Sequence, residues 1–360
     1  MSDKTHNNRQ RFLDACACLP VDRPPIWMMR QAGRALPEYR ELKQKYSFVE
    51  MVQTPDLATE VTLQPIRRFG FDAAVMFSDI LVIPEAMGQS YKFRDQGGIQ
   101  MEFTINNQQD VDRLNVNGVV DRLSYVSSAI GQIHKELDGK TALLGFTGSP
   151  WTLANYMMEG GSASEFVRAH QLQQSEPKLF EQLMSKLTQA IIDYLKMQAA
   201  SGVDAIQIFD SMGGMISSEE YSEVSGRWIG QIIESLEGVV PVILFSRDTA
   251  GSLQELVQTG AQVLGLDWSI RLSEARSRIP SSIALQGNLD PTVLTTTPEI
   301  AARETFRILE EMRGNNGFIF NLGHGVPPNA KLENIESKSN DEIENYKDQI
   351  KKQNHQNILE

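Results

Sequence analysis

The 360-residue chain has little with which to staple itself, cross a membrane or grip a polyanion over a wide face. It contains two cysteines, Cys16 and Cys18, separated by one alanine. Residues two apart on a helix point about 200° away from each other, so these thiols are not placed to share a metal. Two thiols also cannot staple a chain of this size, which fits a reducing compartment. Five histidines are scattered along the sequence, and no metal triad emerges from their spacing. Basic residues are in deficit, 34 Lys and Arg against 46 Asp and Glu, for a formal net charge of −12. That balance argues against nucleic acid as a partner, because binding a phosphate backbone normally needs a basic face. No apolar run approaches the ~18 residues of a membrane span, and residues 1–11 are polar without the apolar core of a signal peptide. A cytoplasmic protein without a membrane partner is expected. There is no Gly-x-Gly-x-x-Gly after an early strand, and Gly145-Phe146-Thr147-Gly148-Ser149-Pro150 lacks the Lys-Ser/Thr of a nucleotide-binding loop.

What is present is a regular alternation of short apolar runs with helix-like stretches, on a 41% hydrophobic background. Eight runs read as buried strands: residues 25–29, 73–77, 142–146, 205–211, 241–246, 263–267, 283–288 and 317–321. Between them lie amphipathic segments such as residues 179–200, where Leu183, Leu187, Ile191 and Leu195 recur at helical spacing. Continuous apolar strands alternating with helices indicate parallel βαβ units, and eight of them predict a single α/β domain, a (β/α)8 TIM-type barrel. The barrel with an amino-terminal helical extension is expected over residues 1–328. Residues 329–360 are rich in charge and amides and read as a polar tail, frayed or thinly anchored through Ile343, Tyr346 and Ile350.

In a parallel barrel the carboxyl ends of the strands form the functional face, so the polar residues just past each run are the candidates. Arg30 and Arg34 follow the first run around Gln31, Ala32 and Gly33. Two guanidiniums at one place favour a carboxylate or phosphate ligand, although structural ion pairs would use the same residues. Asp79 follows Phe77 and Ser78; it reads either as a cap or as a carboxylate held to stabilise positive charge. Ser211 follows Asp210 and could equally serve a turn. His324 sits between Gly323 and Gly325, which allow close backbone approach, and Tyr156 lies beyond Ser149-Pro150-Trp151. Trp27, Trp151, Phe77, Phe146 and Phe209 read as core or pocket wall.

Five ordered segments carry a family resemblance: Pro25-Ile26-Trp27-Met28-Met29-Arg30-Gln31-Ala32-Gly33-Arg34, Phe77-Ser78-Asp79-Ile80-Leu81, Gly145-Phe146-Thr147-Gly148-Ser149-Pro150-Trp151 through Tyr156, Gln286-Gly287-Asn288-Leu289-Asp290-Pro291, and Asn321-Leu322-Gly323-His324-Gly325. Together, from about residue 11 to about residue 334, they resemble the uroporphyrinogen decarboxylase family. The resemblance implies a homodimeric carboxy-lyase that needs no cofactor. Its substrate would be the tetrapyrrole uroporphyrinogen III, whose four acetate side chains become methyl groups to give coproporphyrinogen III. It further implies that Arg30, Gln31, Ala32, Gly33 and Arg34 form a substrate loop, that Asp79 accepts the pyrrole N–H groups, and that Tyr156, Ser211 and His324 hold peripheral carboxylates or order the site. Asp79 and Arg30 are the catalytic candidates, Arg30 for delivery or relay of the proton. Two departures stand out: Arg247-Asp248-Thr249 replaces a glycine-richer turn, and the tail is more polar than a closing helix. A zinc-dependent corrinoid methyltransferase of the same superfamily would need thiolate ligands late in the chain, and no cysteine follows Cys18. A barrel that only binds tetrapyrroles is the other alternative.

Overall fold

In the computed structural model, residues 6–94, 97–163 and 165–336 are described. The expectations placed on Ile343, Tyr346, Ile350 and the rest of residues 337–360 lie outside them. Among the described residues nine strands occur in chain order: β1 Ala73–Val75, β2 Tyr91–Phe93, β3 Ile99–Met101, β4 Ala142–Gly148, β5 Ala205–Asp210, β6 Val242–Ser246, β7 Val263–Gly265, β8 Ala284–Leu289 and β9 Phe318–Leu322. Seven of them form one parallel sheet in the order β1-β4-β5-β6-β7-β8-β9, while β2 and β3 pair as a separate antiparallel hairpin.

The seven strands match seven of the eight expected runs, and the eighth run forms the missing stave in reduced form. Residues 25–29 make only a single parallel bridge, Ile26 to Phe320. The Phe320 N–H donates to Pro25 O at 2.9 Å on one side, and the Asp72 N–H donates to Ile26 O at 2.9 Å on the other, so the segment spans the gap between β9 and β1. It is not a regular strand because Pro24 and Pro25 have no N–H to give. Side chains take much of the remaining ladder: Ile26 N donates to Asp72 Oδ2, Met28 N to Gln31 Oε1 and Met29 N to Asn321 Oδ1. With that stave the sheet closes as a TIM-type barrel.

Strand alternation divides the core in two. Ala73, Val75, Ala142, Leu144, Ala205, Ile243, Phe245, Val263, Ala284 and Ile319 face the barrel axis with Trp27. Phe12, Ala15 and Cys16 of the amino-terminal helix Asn8–Cys16 join the same cluster. Above the aliphatic layers a polar one crosses the barrel: Trp27 Nε1 donates to Gln286 Oε1, and Gln286 Nε2 to Gln207 Oε1, both at 2.9 Å. The outward residues pack under the helices, including Pro177–Ser201, the 25-residue helix that the spacing of residues 179–200 predicts. The amino end of the assembly is tied by Asp72, fully buried, which binds both Arg11 and Arg23 at 2.7–2.8 Å.

The polar composition past residue 328 does not prevent local packing. The helix Leu332–Glu336 buries Asn334 and Ile335, and Asn334 Nδ2 donates to Leu294 O at 3.0 Å.

Candidate active site

Each strand of the barrel releases its side chains into the site where its hydrogen bonding stops. At the end of the first stave Arg30 adopts φ 58°, a left-handed conformation unusual for a residue with a side chain. The turn is held by Gln31, which is buried and whose amide is committed to the scaffold: Nε2 donates to Ala73 O at 3.0 Å while Oε1 accepts from Met28 N. Gln31 thus shapes the loop, and Ala32 and Gly33 form its partly exposed crest. Arg30 and Arg34 are both exposed and stand outside the salt bridges formed among the described residues. Gly325 lies close against Arg30: a Cβ there would press on the Arg30 Cδ and Cγ and make that side chain shift.

Asp79 follows β1 in a partly accessible recess and accepts the Leu81 N–H at 2.7 Å. Burial pushes its carboxyl up from the ordinary aspartate range, opposed by the Leu81 N–H and then by the positive charge of Arg30. The cap reading describes its hydrogen bond, and the charge-stabilising role remains a matter for its chemistry. Asp79 caps a local turn, and it is a carboxylate within the field of a guanidinium.

Tyr156 comes from the helix Pro150–Glu159. Ser149 caps that helix by accepting Thr152 N, Pro150 occupies its first turn, and Gly160 ends it at φ 75°. The Tyr156 ring packs edge-on against Phe166 at 5.5 Å, and its hydroxyl is pushed up by burial and by Asp79, and lowered by Arg30. His324 follows β9 and meets Phe245 edge to face at 6.3 Å. Burial, Arg30 and Arg247 hold its imidazole down at about 4 against the pull of Asp267, so it is neutral at physiological pH.

Arg30, Asp79, Tyr156 and His324 come from four separate staves; the charge of Arg30 is felt at the other three, and that of Asp79 at Tyr156. Arg34 stands further out, where its charge is felt by Tyr39. Ser211 is partly buried directly after β5, and no hydrogen bond joins it to the other four. Its neighbour Asp210 is fully buried and satisfied by hydroxyls: Ser149 and Thr152 on one oxygen at 2.6 and 3.4 Å, Tyr221 and Ser246 on the other at 2.7 and 3.1 Å. Behind Asp79 stands Glu85, half-buried, whose carboxyl is raised by burial and by the Asp79 charge. Glu85 and the hydroxyl web of Asp210 escaped the sequence reading, since their partners are distant in the chain. Among the described residues no group of three or more His, Cys, Asp or Glu is arranged to hold a metal ion.

A parallel barrel that brings Arg30, Asp79, Tyr156 and His324 to the carboxyl ends of its strands is a TIM-type barrel with the layout of an enzyme. The chain belongs to the uroporphyrinogen decarboxylase family, whose model matches residues 7–338. A uroporphyrinogen decarboxylase from Methylobacillus flagellatus is 46% identical over 319 residues, 87% of this chain and 90% of the relative. One from Tolumonas auensis is 43% identical over 333 residues, 91% and 94% of the two chains. Among solved structures, a methyltransferase from Methanosarcina mazei superposes with a TM-score of 0.78, covering 92% of this chain and 96% of the other. At 19% identity that likeness carries the fold and not the activity.

Proposed function

We propose that this chain decarboxylates the four acetate side chains of uroporphyrinogen III to methyl groups, yielding coproporphyrinogen III for tetrapyrrole biosynthesis, without a cofactor. The observation that carries the reading is the recessed carboxylate of Asp79 set beside the unpaired guanidinium of Arg30, in a chain of this family. Loss of carbon dioxide from an acetate leaves an electron pair that needs an acceptor. A pyrrole protonated on carbon is an iminium-like cation: the C–C pair moves into the ring as carbon dioxide leaves, the exocyclic methylene takes a proton to become methyl, and loss of the ring-carbon proton restores the pyrrole, so that one proton is consumed overall. Asp79, accepting the pyrrole N–H groups, stabilises that cation as it forms. Removing one such preorganised partner costs about 3 kcal/mol of transition-state stabilisation.

Arg30 holds the reacting acetate and relays the proton, through a hydrogen-bonded water because a guanidinium is itself a poor general acid at neutral pH. Arg34, Tyr156, Ser211 and His324 hold peripheral carboxylates, and the Gln31-Ala32-Gly33 crest lines the loop. We assign catalysis to residues 1–328, with residues 329–360 accessory, and a homodimer in the cytoplasm as the working form. No helix among the described residues is long and apolar enough to cross a membrane.

The test is anaerobic incubation of purified protein with uroporphyrinogen III, followed by separation of the oxidised products by carboxylate number. Seven- to four-carboxylate species without added cofactor are expected. A folded protein that yields none overturns the reading.

A further inference from the structure

The carboxylates of the proposed substrate surround a disc, whereas Arg30 and Arg34 grip it from one side. In the ring of eight staves the first, which ends in Arg30, and the fifth, β6, stand opposite each other. On β6 the residues Ile243 and Phe245 face the barrel axis. The ladder continues one residue past the strand, since the Arg247 N–H donates to Asp210 O at 3.3 Å, and the two-residue period therefore puts Arg247 on the same side as Phe245. The Phe245 ring already touches that of His324, so Arg247 overhangs His324 one step further out.

Its backbone is fixed while its head is free to act. Arg247 O accepts the Gly214 N–H at 2.9 Å, and the N–H of Asp248 is held by the Asp267 carboxylate. Asp248 itself takes φ 57°, and a Cβ on Gly214 would collide with it, so the turn admits little rearrangement. The guanidinium is 44% exposed, and its salt bridge is to the adjacent Asp248 at 3.2 Å. An exposed pair of this kind is weak and yields to a better-placed carboxylate. The positive charge of Arg247 is felt at His324, as is that of Arg30.

We infer that Arg247 is a substrate-binding residue that holds a peripheral carboxylate of the polycarboxylate macrocycle from the side of the barrel mouth opposite Arg30. The inference rests on the decarboxylase reading and adds a clasp to it. A carboxylate held this far from Asp79 is gripped equally in ground and transition states, so the residue acts on KM and leaves kcat in place.

The experiment compares wild type, Arg247→Ala, Arg247→Lys and, as a control, Arg303→Ala on the helix Pro298–Glu311, whose exposed side chain pairs with Glu304. Two measurements are made: steady-state decarboxylation of uroporphyrinogen III, and equilibrium binding of oxidised uroporphyrin followed by fluorescence. Arg247→Ala is expected to raise KM and the porphyrin Kd roughly tenfold with kcat within twofold, and to weaken the dependence of both on salt. Arg247→Lys is expected to recover most of the loss, and Arg303→Ala to match wild type. An active wild type whose KM and Kd are unchanged by Arg247→Ala overturns the clasp, as does a fall in kcat alone. A wild type that binds porphyrin without decarboxylating overturns the functional reading instead, and the Kd comparison still decides the role of Arg247.

Discussion

At Asp79 the structure shows a cost to stability that the proposed chemistry would explain. Its carboxyl is raised by burial, so the folded protein holds the proton more tightly than the unfolded chain, and ionisation works against folding as pH rises through the folded value. Asp79→Asn removes that cost. The expected outcome is a melting temperature equal to or above wild type together with a fall in kcat/KM of at least about 100-fold, checked by thermal denaturation and product analysis. An active variant would remove Asp79 from the mechanism. His324 has the opposite sign. Its folded value near 4 lies below the ordinary 6.5, so it favours folding above pH 6.5 and that contribution is lost as pH falls towards 4. Replacing it by glutamine should flatten the stability profile in that window, which denaturant melts at pH 7 and pH 5 would show. Gly325→Ala pushes on the Arg30 side chain and is expected to depress activity several-fold while leaving the barrel folded. Asp79 and His324 stood out in the sequence because each follows an apolar run, at the end of a barrel strand where functional groups are expected. Arg247 was visible only as an odd turn, since nothing in Ser246-Arg247-Asp248-Thr249 says that the strand phase continues through it.

Between elements, the position of Tyr156 depends on a carboxylate that touches neither it nor the open site. Asp210 holds Ser149, the cap of the helix that carries Tyr156, and also Tyr221 and Ser246, which lie 61, 11 and 36 residues away in sequence. Trp151 of the same helix donates to Met212 O at 3.0 Å, fastening it to the loop after β5. Asp210→Ala would strand several buried hydroxyls, at about 1–3 kcal/mol for each that finds no partner. The expected result is a lower melting temperature and a higher KM, with Tyr156 displaced. Asp210→Asn, which keeps the shape and part of the bonding, should lie between the two. Normal activity in Asp210→Ala at a temperature where it is fully folded would refute this linkage. Sequence reasoning noted Ser149-Pro150-Trp151 and the strand end at Asp210 only as separate stretches. It could not join them, because hydroxyl donors at unrelated spacings carry no periodic signal.

For the molecule as a whole, a net charge of −12 repels a polycarboxylate at long range, and only the local guanidiniums attract it. Salt screens the distant repulsion and the exposed clasps alike. The field at the mouth is the nearer and stronger of the two, so KM is expected to rise between about 50 and 300 mM salt, measured with uroporphyrinogen III. The tail provides a second test at this scale. A chain ending after Glu336 keeps the helix that buries Asn334 and Ile335, and is expected to retain wild-type kcat/KM; a large loss would place residues beyond 336 in the catalytic unit.

The sequence by itself determined the barrel, through eight apolar runs and the helices between them, and the identity of the polar residues at their ends. Those features are local: hydrophobic periodicity and strand punctuation need no knowledge of distant partners. Tertiary structure alone decided that the first run is a proline-limited stave stitched by Asp72, Gln31 and Asn321 rather than a regular strand. It also decided that the staves ending in Arg30 and Arg247 stand opposite each other, and that His324, within the field of both, stays neutral. Those outcomes depend on ring closure, burial and fields from residues far apart in the chain, and such quantities come into being only when the barrel closes.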